Sequence, residues 1–499
     1  MKTFDLCVIG AGPSGYAAAM RGLDFGKRVA LIEKNKIGGA GIFNGALSSK
    51  TLWEMSESYK HTRQTGFGYT VHDVELSYSA VINEMHRAVA SKHGQLREQV
   101  NYFLRKGQLE EFQGHGRLLN AHDVEIALND GSKEVIRAEN IVLAIGSRPR
   151  YLPNIPIDEK TILTSDGIAS LTDFPRSIVI LGAGVIGCEF ATIFSNYGRT
   201  KVHLIDKEDR ILPFEDEDIS HTLAANLEKQ GVVIHRGSSL ESMKIVDGRV
   251  EYVLNYKDGR REIHTVDKAL ISVGRVANTD NLGLEEAGVK LNDRGYCDDD
   301  DTQTSTPNIY AVGDFTADIS LVNVGELEGR YAVERMFSDP SHELIYENIS
   351  TIMFLNPEVA AVGLNETQAR KKKIPYRMAV MNYRYINRAI AMGKTSGFFK
   401  ILVTDDDDMK ILGMRVMGNH ASSTSQAIAL MIALNAGIDK LAELIFPHPS
   451  VPEGIQECAR MLMGKSIVKP EVFNLDLRCY RVDAEGRVEH MHQQGLQAA

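Results

Sequence analysis

Two glycine-rich turns carry the clearest chemistry in this sequence. They span residues 10–15 and 182–187, and their spaced glycines are Gly10, Gly12, Gly15, Gly182, Gly184 and Gly187. In such a turn the first glycine permits a tight bend, the second lets the backbone approach a pyrophosphate, and the third lets helix and strand pack closely. A helix that begins at the turn offers its free N–H groups to the phosphates. The spacing therefore predicts two dinucleotide sites.

An acidic residue follows each turn at the distance at which a ribose is held, about 20 residues further on. These acids are Glu33 after the first turn and Asp206 after the second. A carboxylate at Asp206 would accept a hydrogen bond from the 2′-hydroxyl of NAD and repel the 2′-phosphate of NADP. Two cations, Lys207 and Arg210, follow closely. The residues therefore favour NAD but leave NADP open.

The elements that must hold these turns are predicted from short runs of Val, Ile and Leu. Runs that are apolar on both faces and bounded by glycine are typical of buried parallel strands. Because they alternate with helical patterns, they predict a doubly wound α/β fold. The runs lie at residues 6–9, 29–32, 141–145, 178–181, 202–205, 232–234, 269–273 and 309–312.

The C-terminal part has a different pattern, which predicts a separate α+β domain from about residue 347. Alternating segments at 398–403 and 411–416 predict an antiparallel sheet, and the apolar stretch 425–435 predicts a helix in the core or at a subunit interface. The polar stretch beyond residue 465 predicts a poorly ordered tail. His490 and His492 near its end are expected to be solvated, so we predict no metal site. The aspartate runs 298–301 and 405–408 are predicted to be solvated loops.

The composition excludes several classes of function. A chain of 499 residues has room for about three domains. Its net charge of −10 argues against binding to nucleic acid and to anionic membranes. No signal-peptide pattern or membrane-length apolar run is recognisable, so we expect a cytoplasmic protein. Five scattered cysteines form neither a disulfide framework nor a metal motif, and a structural role is expected for Cys7, Cys188, Cys297, Cys458 and Cys479.

Further segments resemble the pyridine nucleotide–disulfide oxidoreductases, a family that includes dihydrolipoamide dehydrogenase and the soluble pyridine nucleotide transhydrogenase. The resemblance extends to about residue 465 and includes residues 144–146, 273–275, 309–314, 356–363 and 448–453. It implies a homodimer. It also implies an FAD-binding domain in two segments (1–153 and 276–346), an NAD(P)-binding domain (154–275), a dimerisation domain (347–465) and a tail (466–499).

The same resemblance implies roles for individual residues. Lys50 and Glu189 would pair beside the flavin N5, and Asp314 would hold the ribityl chain. His448 and Glu453 would reach the flavin site of the partner subunit as an acid–base dyad. The FAD site would also include Glu33, Gly39 and Gly146 with the first turn, and the NAD site would include Asp206 and Gly274 with the second.

The redox motif of that family is altered here at both of its cysteines. Residues 38–50 keep the two leading glycines and the closing Ser-Lys, but Gly41 and Ala46 occupy the cysteine positions. Neither side chain can form the thiolate that disulfide exchange requires. Phe43 and Ser48 also depart from the motif, which favours natural divergence over an engineered double substitution. The ring of Phe43 is predicted to narrow the acceptor pocket.

The sequence thus predicts an FAD-dependent NAD(P)H oxidoreductase whose acceptor is a second nicotinamide or a quinone. Reduction of a quinone consumes protons, which the acid–base dyad implied by the resemblance, His448 and Glu453, would supply. A packing role for His448 at the subunit interface stays open. Two rival hypotheses are a dihydrolipoyl dehydrogenase-like protein and a non-catalytic flavin-binding scaffold, because fold alone does not imply activity.

Overall fold

The structure is a computed structural model of the chain, and it describes residues 1–63, 68–316, 319–338 and 343–491. The described residues form two compact units. Unit 1 comprises the described residues within Met1–Gly182, Asn196–Lys201 and Leu240–Leu344, and unit 2 comprises those within Ala183–Ser195 and Val202–Ser239 and from Ile345 onward. No described helix has both the length and the apolar content that a membrane span needs. His492 lies outside the described residues.

The described residues form 25 strands and 12 α-helices. The strands are β1 (Lys2–Ile9), β2 (Val29–Glu33), β3 (Leu109–Leu118), β4 (Asp123–Leu128), β5 (Lys133–Leu143), β6 (Ser147–Pro149), β7 (Ile162–Thr164), β8 (Ser177–Leu181), β9 (Lys201–Ile205), β10 (Val233–His235), β11 (Ser238–Val246), β12 (Arg249–Tyr256), β13 (Arg261–Val266), β14 (Lys268–Ile271), β15 (Arg275–Ala277), β16 (Asp299–Asp300), β17 (Gln303–Thr304), β18 (Ile309–Ala311), β19 (Ser350–Met353), β20 (Val359–Gly363), β21 (Tyr376–Asn382), β22 (Phe398–Thr404), β23 (Ile411–Met417), β24 (Leu477–Val482) and β25 (Val488–His490). The helices are α1 (Pro13–Asp24), α2 (Gly39–Ile42), α3 (Ala46–Thr62), α4 (Tyr78–Arg105), α5 (Val185–Tyr197), α6 (Glu217–Lys229), α7 (Val322–Phe337), α8 (Glu366–Lys371), α9 (Asn387–Ala391), α10 (Gln426–Ala433), α11 (Asp439–Ala442) and α12 (Glu453–Leu462).

The main sheet of unit 1 has a parallel centre that ends at the first glycine turn. β1 pairs in parallel with β2 on one side and with β5 on the other, and β18 pairs in parallel with β5. Cys7 and Ile9 of β1 face one apolar cluster, and Leu6 and Val8 face the other. Both faces are buried, as the continuous apolar runs predicted, because each face is covered by packed elements.

An antiparallel addition to this sheet was not predicted. β4 pairs with the second half of β3 and with the first half of β5. β5 is therefore longer than the apolar run 141–145, which covers only its buried end. Its first half alternates in burial, with Ile136 and Ala138 inward, as expected for a strand that is solvated on one face.

The nucleotide-binding strands around the second glycine turn also match the predicted runs. In unit 1, β14 lies between β7 and β8, and all three are parallel. In unit 2, β9 and β10 are parallel. β12 and β13 pair antiparallel, and β6 and β15 form a short antiparallel ribbon.

Unit 2 contains a seven-stranded sheet in the order β19-β20-β23-β22-β21-β24-β25, and its pairings are antiparallel. The predicted strands 398–403 and 411–416 are its β22 and β23. The predicted helix 425–435 is the shorter α10, which buries Ile428 and Met431 and exposes Leu430; Leu434, directly after the helix, is exposed too.

The expectation of a poorly ordered tail is wrong for residues 477–490. β24 pairs along the edge of β21, and β25 pairs with β24. Leu477 and Cys479 face one apolar cluster of unit 2, and Val482, on the opposite face of β24, packs in another. The expectation of a solvated loop is also wrong for Asp405, because its buried carboxylate pairs with Arg377 at 2.8 Å and with Arg481 of β24 at 2.6 Å.

Candidate functional site

The first glycine turn has the shape that a pyrophosphate needs. Gly10 has a φ of +99°, and a Cβ there would lie 2.3 Å from the Ala144 carbonyl oxygen, so only glycine fits. A Cβ on Gly12 would instead meet no described atom within 4 Å. A Cβ on Gly15 would lie 1.9 Å from the Gly10 oxygen. The turn is thus closed on the strand side and open at Gly12, the N-cap of α1, where free N–H groups favour an anion.

Glu33 is buried at the end of β2 and is held against this turn. Its Oε2 accepts a hydrogen bond from the Ala11 N–H at 2.7 Å, and its Oε1 accepts one from the Asn35 N–H at 2.7 Å. The carboxylate therefore has a fixed position beside the proposed phosphate site, as a ribose-binding acid requires.

Asp314 is positioned by three residues that the sequence analysis missed. Its Oδ2 accepts a hydrogen bond from Ser147 Oγ at 2.6 Å, and Arg275 Nε donates to Ser147 Oγ at 2.7 Å. The preceding residue is fixed too, because the Gly313 N–H donates to the buried Glu328 Oε2 at 2.6 Å. The only signal in the sequence was that Ser147 and Arg275 directly follow Gly146 and Gly274.

The second glycine turn repeats the geometry of the first. Gly182 has a φ of +101°, and a Cβ there would lie 2.4 Å from the Ser272 carbonyl oxygen, whereas a Cβ on Gly184 would meet nothing within 4 Å among the described atoms. Asp206 Oδ2 accepts from the Ala183 N–H at 2.5 Å, as Glu33 does from Ala11. Two turns of the same design fit two dinucleotides.

The loop of residues 38–50, where the sequence predicts the family's redox motif, forms α2 and the start of α3. A Cβ at Gly41 would lie 2.5 Å from Pro13 Cγ, and a Cβ at Gly45 would lie 2.2 Å from the Ala40 carbonyl oxygen. Ala46 is the first residue of α3. The backbone therefore lies against its neighbours at Gly41 with no room for a larger side chain.

Lys50 and Glu189 each have contacts of their own. Lys50 Nζ donates to Ser49 Oγ at 3.3 Å, and Glu189 Oε1 accepts from the Phe354 N–H at 3.0 Å. Glu189 is buried within α5. Their pairing beside a flavin stays a prediction.

The ring of Phe43 packs against α4. It makes an edge contact with His93, with 5.4 Å between ring centroids, and Lys36 Nζ lies 5.5 Å from the Phe43 ring centre. Burial lowers the pKa of His93, and the charges of Arg97 and Lys36 lower it further. These contacts hold the Phe43 ring against α4 in unit 1. The effect of this ring on an acceptor stays a prediction.

His448 and Glu453 are brought together as predicted. His448 Nδ1 lies 2.7 Å from Glu453 Oε1, and Glu453 Oε2 accepts from the Ser450 N–H at 2.7 Å. The Glu453 carboxylate is therefore fixed at the start of α12 and orients the imidazole. The His448 side chain is 60% exposed, so its other ring nitrogen is accessible from outside this chain.

All five cysteines are free and buried. Burial raises the pKa of each thiol above its ordinary value, so none favours the reactive thiolate. Cys297 and Cys479 lie in polar stretches of the sequence, yet both side chains face apolar cores.

Comparison with known proteins agrees with this arrangement over most of the chain. The family model described as "Pyridine nucleotide-disulphide oxidoreductase" matches residues 4–329, and the model of that family's dimerisation domain matches residues 349–459. The chain belongs to the pyridine nucleotide–disulphide oxidoreductase family. It therefore has the Rossmann-like FAD and NAD domains of this family, followed by its C-terminal dimerisation domain, which supports a homodimer.

Similar members of the family are named as dihydrolipoyl dehydrogenases. One from Chlamydia muridarum is 34% identical over 473 residues, covering 94% of this chain and 99% of the relative. One from Bacillus subtilis is 31% identical over 475 residues, covering 93% and 99%. The crystal structure of LpdA from Mycobacterium tuberculosis is similar at a TM-score of 0.85 with 25% identity, covering 93% of this chain and 100% of that one. This family member is an FAD-dependent pyridine nucleotide oxidoreductase, and its cofactors are FAD and NAD(P)H.

Proposed function

We propose that this protein oxidises NADH and passes the electrons to an acceptor that is not a thiol, either a quinone or a second nicotinamide. The observation that carries this proposal is the identity of residues 41 and 46. Glycine and alanine stand where the family's redox motif has cysteines, and neither can exchange with a disulfide.

The cysteines that the chain does contain support the same conclusion. Each one is buried in an apolar core, and its thiol pKa is raised. Cys7 lies within β1 and Cys188 within α5, so both are parts of regular packed elements. A redox-active cysteine needs an exposed, electropositive environment, which these positions lack.

The shape of the loop around Gly41 is a second line of support. A thiol at this position would require Pro13 to move, because even a Cβ would approach its ring to 2.5 Å. Pro13 is the first residue of α1 and belongs to the first glycine turn. The loop therefore fits glycine at residue 41, which supports natural divergence over an engineered substitution.

NAD is the favoured nicotinamide because of the contacts of Asp206 and its neighbours. The Asp206 carboxylate is fixed by the N–H groups of Ala183 and Glu208 and carries a negative charge where a 2′-phosphate would lie. Arg210 Nη2 donates to the Pro213 carbonyl at 3.0 Å, and the Lys207 side chain is largely exposed. Neither cation contacts the Asp206 carboxylate in the described hydrogen bonds and ion pairs.

The residues of the chain would bind and orient FAD and would supply a proton to the acceptor. The helix N-terminus at Gly12 and the Glu33 carboxylate would hold the pyrophosphate and a ribose of FAD, and Asp314 would accept from its polyol chain. Bound flavin supplies the two-electron chemistry between nicotinamide and acceptor. His448, oriented by Glu453, would supply a proton to an acceptor such as a quinone in the partner's site.

An anaerobic titration tests this proposal in two steps. The purified holoprotein is mixed with NADH, and rapid bleaching of the visible flavin absorbance is expected. The reduced protein is then mixed separately with a quinone, with an oxidised nicotinamide analogue and with lipoamide. Reoxidation by either of the first two and not by lipoamide supports the proposal. Reoxidation by lipoamide, or fast turnover of dihydrolipoamide with NAD⁺, would overturn it, and a flavin that NADH does not bleach would favour the non-catalytic scaffold.

A further inference from the structure

The ribbon formed by β6 and β15 lies where the chain crosses between its nucleotide-binding segments. Ser147 of β6 lies opposite Ala277 of β15, and Pro149 lies opposite Arg275. Residues 150–274, which contain the second glycine turn, lie between these strands in sequence. Both covalent connections from this segment to the segments around the first turn therefore run through the ribbon.

Arg275 connects this ribbon to Asp314 through Ser147. Its Nε donates to Ser147 Oγ at 2.7 Å, and its Nη2 donates to the Ser147 carbonyl oxygen at 2.8 Å. Ser147 Oγ lies 2.6 Å from Asp314 Oδ2, whereas Arg275 Nε is 3.8 Å from the same oxygen. The serine hydroxyl therefore stands between the two charged groups.

The direction of these hydrogen bonds is fixed by chemistry. A guanidinium can only donate, and a serine hydroxyl has a single proton. Because Ser147 Oγ accepts from Arg275, its own proton is available to Asp314 Oδ2. The side chains of Arg275 and Asp314 are only 22% and 26% exposed, so solvent weakens these charge-assisted bonds less than it would at the surface.

We propose that Arg275 is a positioning residue of the flavin site, which acts through the Ser147 hydroxyl to orient the Asp314 carboxylate toward the polyol chain of FAD. Because Ser147 engages Oδ2, Oδ1 would be the carboxylate oxygen left for the ligand. The inference rests on Asp314 as a flavin ligand and is independent of which acceptor the enzyme uses. The Ser147 side chain would then belong to both the ribbon and the flavin site.

The dissociation constant of FAD from the holoprotein tests this role. Arg275→Met keeps the length of the side chain but removes its donors, and it should weaken FAD binding by about tenfold to a hundredfold, the range typical of a hydrogen bond to a charged group. Arg275→Lys restores the charge without the two-pronged geometry, so it should recover part of the affinity. Asp314→Asn is the reference variant that tests Asp314 as a ligand.

Arg148 provides a matched control on the same ribbon. Its Nη1 donates to the Ala277 carbonyl at 3.0 Å and its Nη2 pairs with Asp280 at 2.8 Å, so it braces the ribbon without contacting Asp314. Arg148→Met should leave FAD binding within about twofold of the parent. Equal weakening by Arg148→Met and Arg275→Met would show a general effect on the ribbon and would overturn the proposal.

A double-mutant cycle separates positioning from simple structural support. If Arg275 acts through Ser147, the combined variant Ser147→Ala with Arg275→Met should bind FAD about as weakly as the more affected single variant. Effects that multiply, or an unchanged FAD affinity in Arg275→Met, would overturn the proposal. If Arg275→Met does not fold, Arg275→Lys and Ser147→Ala decide by the same comparison. A normal FAD affinity in Asp314→Asn would instead show that the ligand assignment itself is wrong.

Discussion

At the scale of single residues, the most informative position is Gly41. Its backbone does not require glycine for conformational reasons, because its φ is not positive. Glycine is required there by space, since a Cβ would lie 2.5 Å from Pro13 Cγ. The packing between residue 41 and the first glycine turn therefore fits glycine and leaves little room for a larger side chain.

We expect Gly41→Ala to lower the free energy of unfolding by about 1–3 kcal/mol, the usual cost of overpacking a close contact. Gly94→Ala is the control, because Gly94 lies within α4 and a Cβ there meets nothing within 4 Å among the described atoms. That substitution should stabilise the protein by about 0.5–1 kcal/mol through helix propensity. Chemical denaturation of both variants measures the difference. A neutral Gly41→Ala would show that the loop has room for a cysteine.

Sequence alone predicted the two glycine turns and their acids better than the residues that position Asp314. Glycine spacing and a terminal acid have a direct mechanism, so the two turns, Glu33 and Asp206 were predictable. The supporting roles of Ser147, Arg275 and Glu328 were not predictable, because they depend on tertiary contacts. Ser147 and Arg275, for example, contact each other although they are more than 100 positions apart in sequence. A single polar residue carries no periodic signal that would reveal such a contact.

At the scale of elements, unit 2 holds a buried ion cluster that joins three segments. Lys400 of β22 is 1% exposed, and its Nζ lies 3.2 Å from Asp216, 2.5 Å from Asp218 and 2.8 Å from Glu366. These carboxylates flank or lie in α6 and α8. One buried cation therefore compensates three acids at the point where these elements meet.

We expect Lys400→Met to destabilise the protein by about 3–5 kcal/mol, because it would leave the three carboxylates without their buried cation. Lys410→Met is the matched control, since Lys410 is partly exposed and 3.9 Å from Asp408. It should change stability by less than about 1 kcal/mol. Thermal or urea unfolding at neutral pH measures the change in stability of both variants. Equal changes would show that the buried cluster contributes no more to stability than a surface ion pair.

The same cluster predicts a sign for the pH dependence. Burial lowers the pKa of Lys400, but the carboxylates of Asp218, Glu366 and Asp216 outweigh burial and raise it. A cation with a raised pKa contributes its full stabilisation below the ordinary lysine value of about 10.4, and this contribution is lost as pH rises through the folded value. The alkaline decline in stability should therefore be shallower in Lys400→Met than in the parent.

The C-terminal strands show why an element was misjudged from sequence. The segment 465–499 is polar overall, and average composition concealed the buried side chains of Leu477, Cys479 and Val482. β24 also depends on a long-range partner, β21, which no local pattern reveals. Both family models end before it, the second at residue 459.

A chain that ends at Lys469 should be markedly less stable than one that ends at Met491. It would lose the burial of Leu477, Cys479 and Val482, each large apolar side chain being worth about 1.5–3 kcal/mol. It would also expose the hydrogen-bonding edge of β21, which favours aggregation. Melting temperature and light scattering of the two chains test this. Identical melting curves would show that β24 adds nothing to unit 2.

At the scale of the whole molecule, the family fold was predictable because each level of the sequence agreed. Strand runs and glycine turns indicated two nucleotide-binding units, and the later alternating segments indicated a separate α+β domain, which the family resemblance implied to be a dimerisation domain. The match of residues 349–459 to the dimerisation domain supports a homodimer. Exposed apolar side chains in unit 2, such as Leu430, Leu434 and Ile445, are available for such an interface.

The pair formed by His448 and Glu453 provides a test of which acceptor this molecule uses. Reduction of a quinone by NADH consumes one proton in addition to the hydride, and gives NAD⁺ and hydroquinone. Transfer from NADH to a second nicotinamide consumes none. His448→Gln keeps a donor for Glu453 but cannot deliver a proton. We therefore expect quinone turnover to fall by about 10²–10⁴-fold, while transfer between nicotinamides changes far less.

His490→Gln is the control for this comparison, because His490 is an exposed histidine on β25 and neither activity should change. Measuring both reactions on each variant separates proton delivery from packing. Equal losses of both activities in His448→Gln would assign His448 a structural role at the interface. A selective loss of quinone turnover would support His448 as the proton donor of the proposed quinone reduction, with Glu453 as the group that orients it.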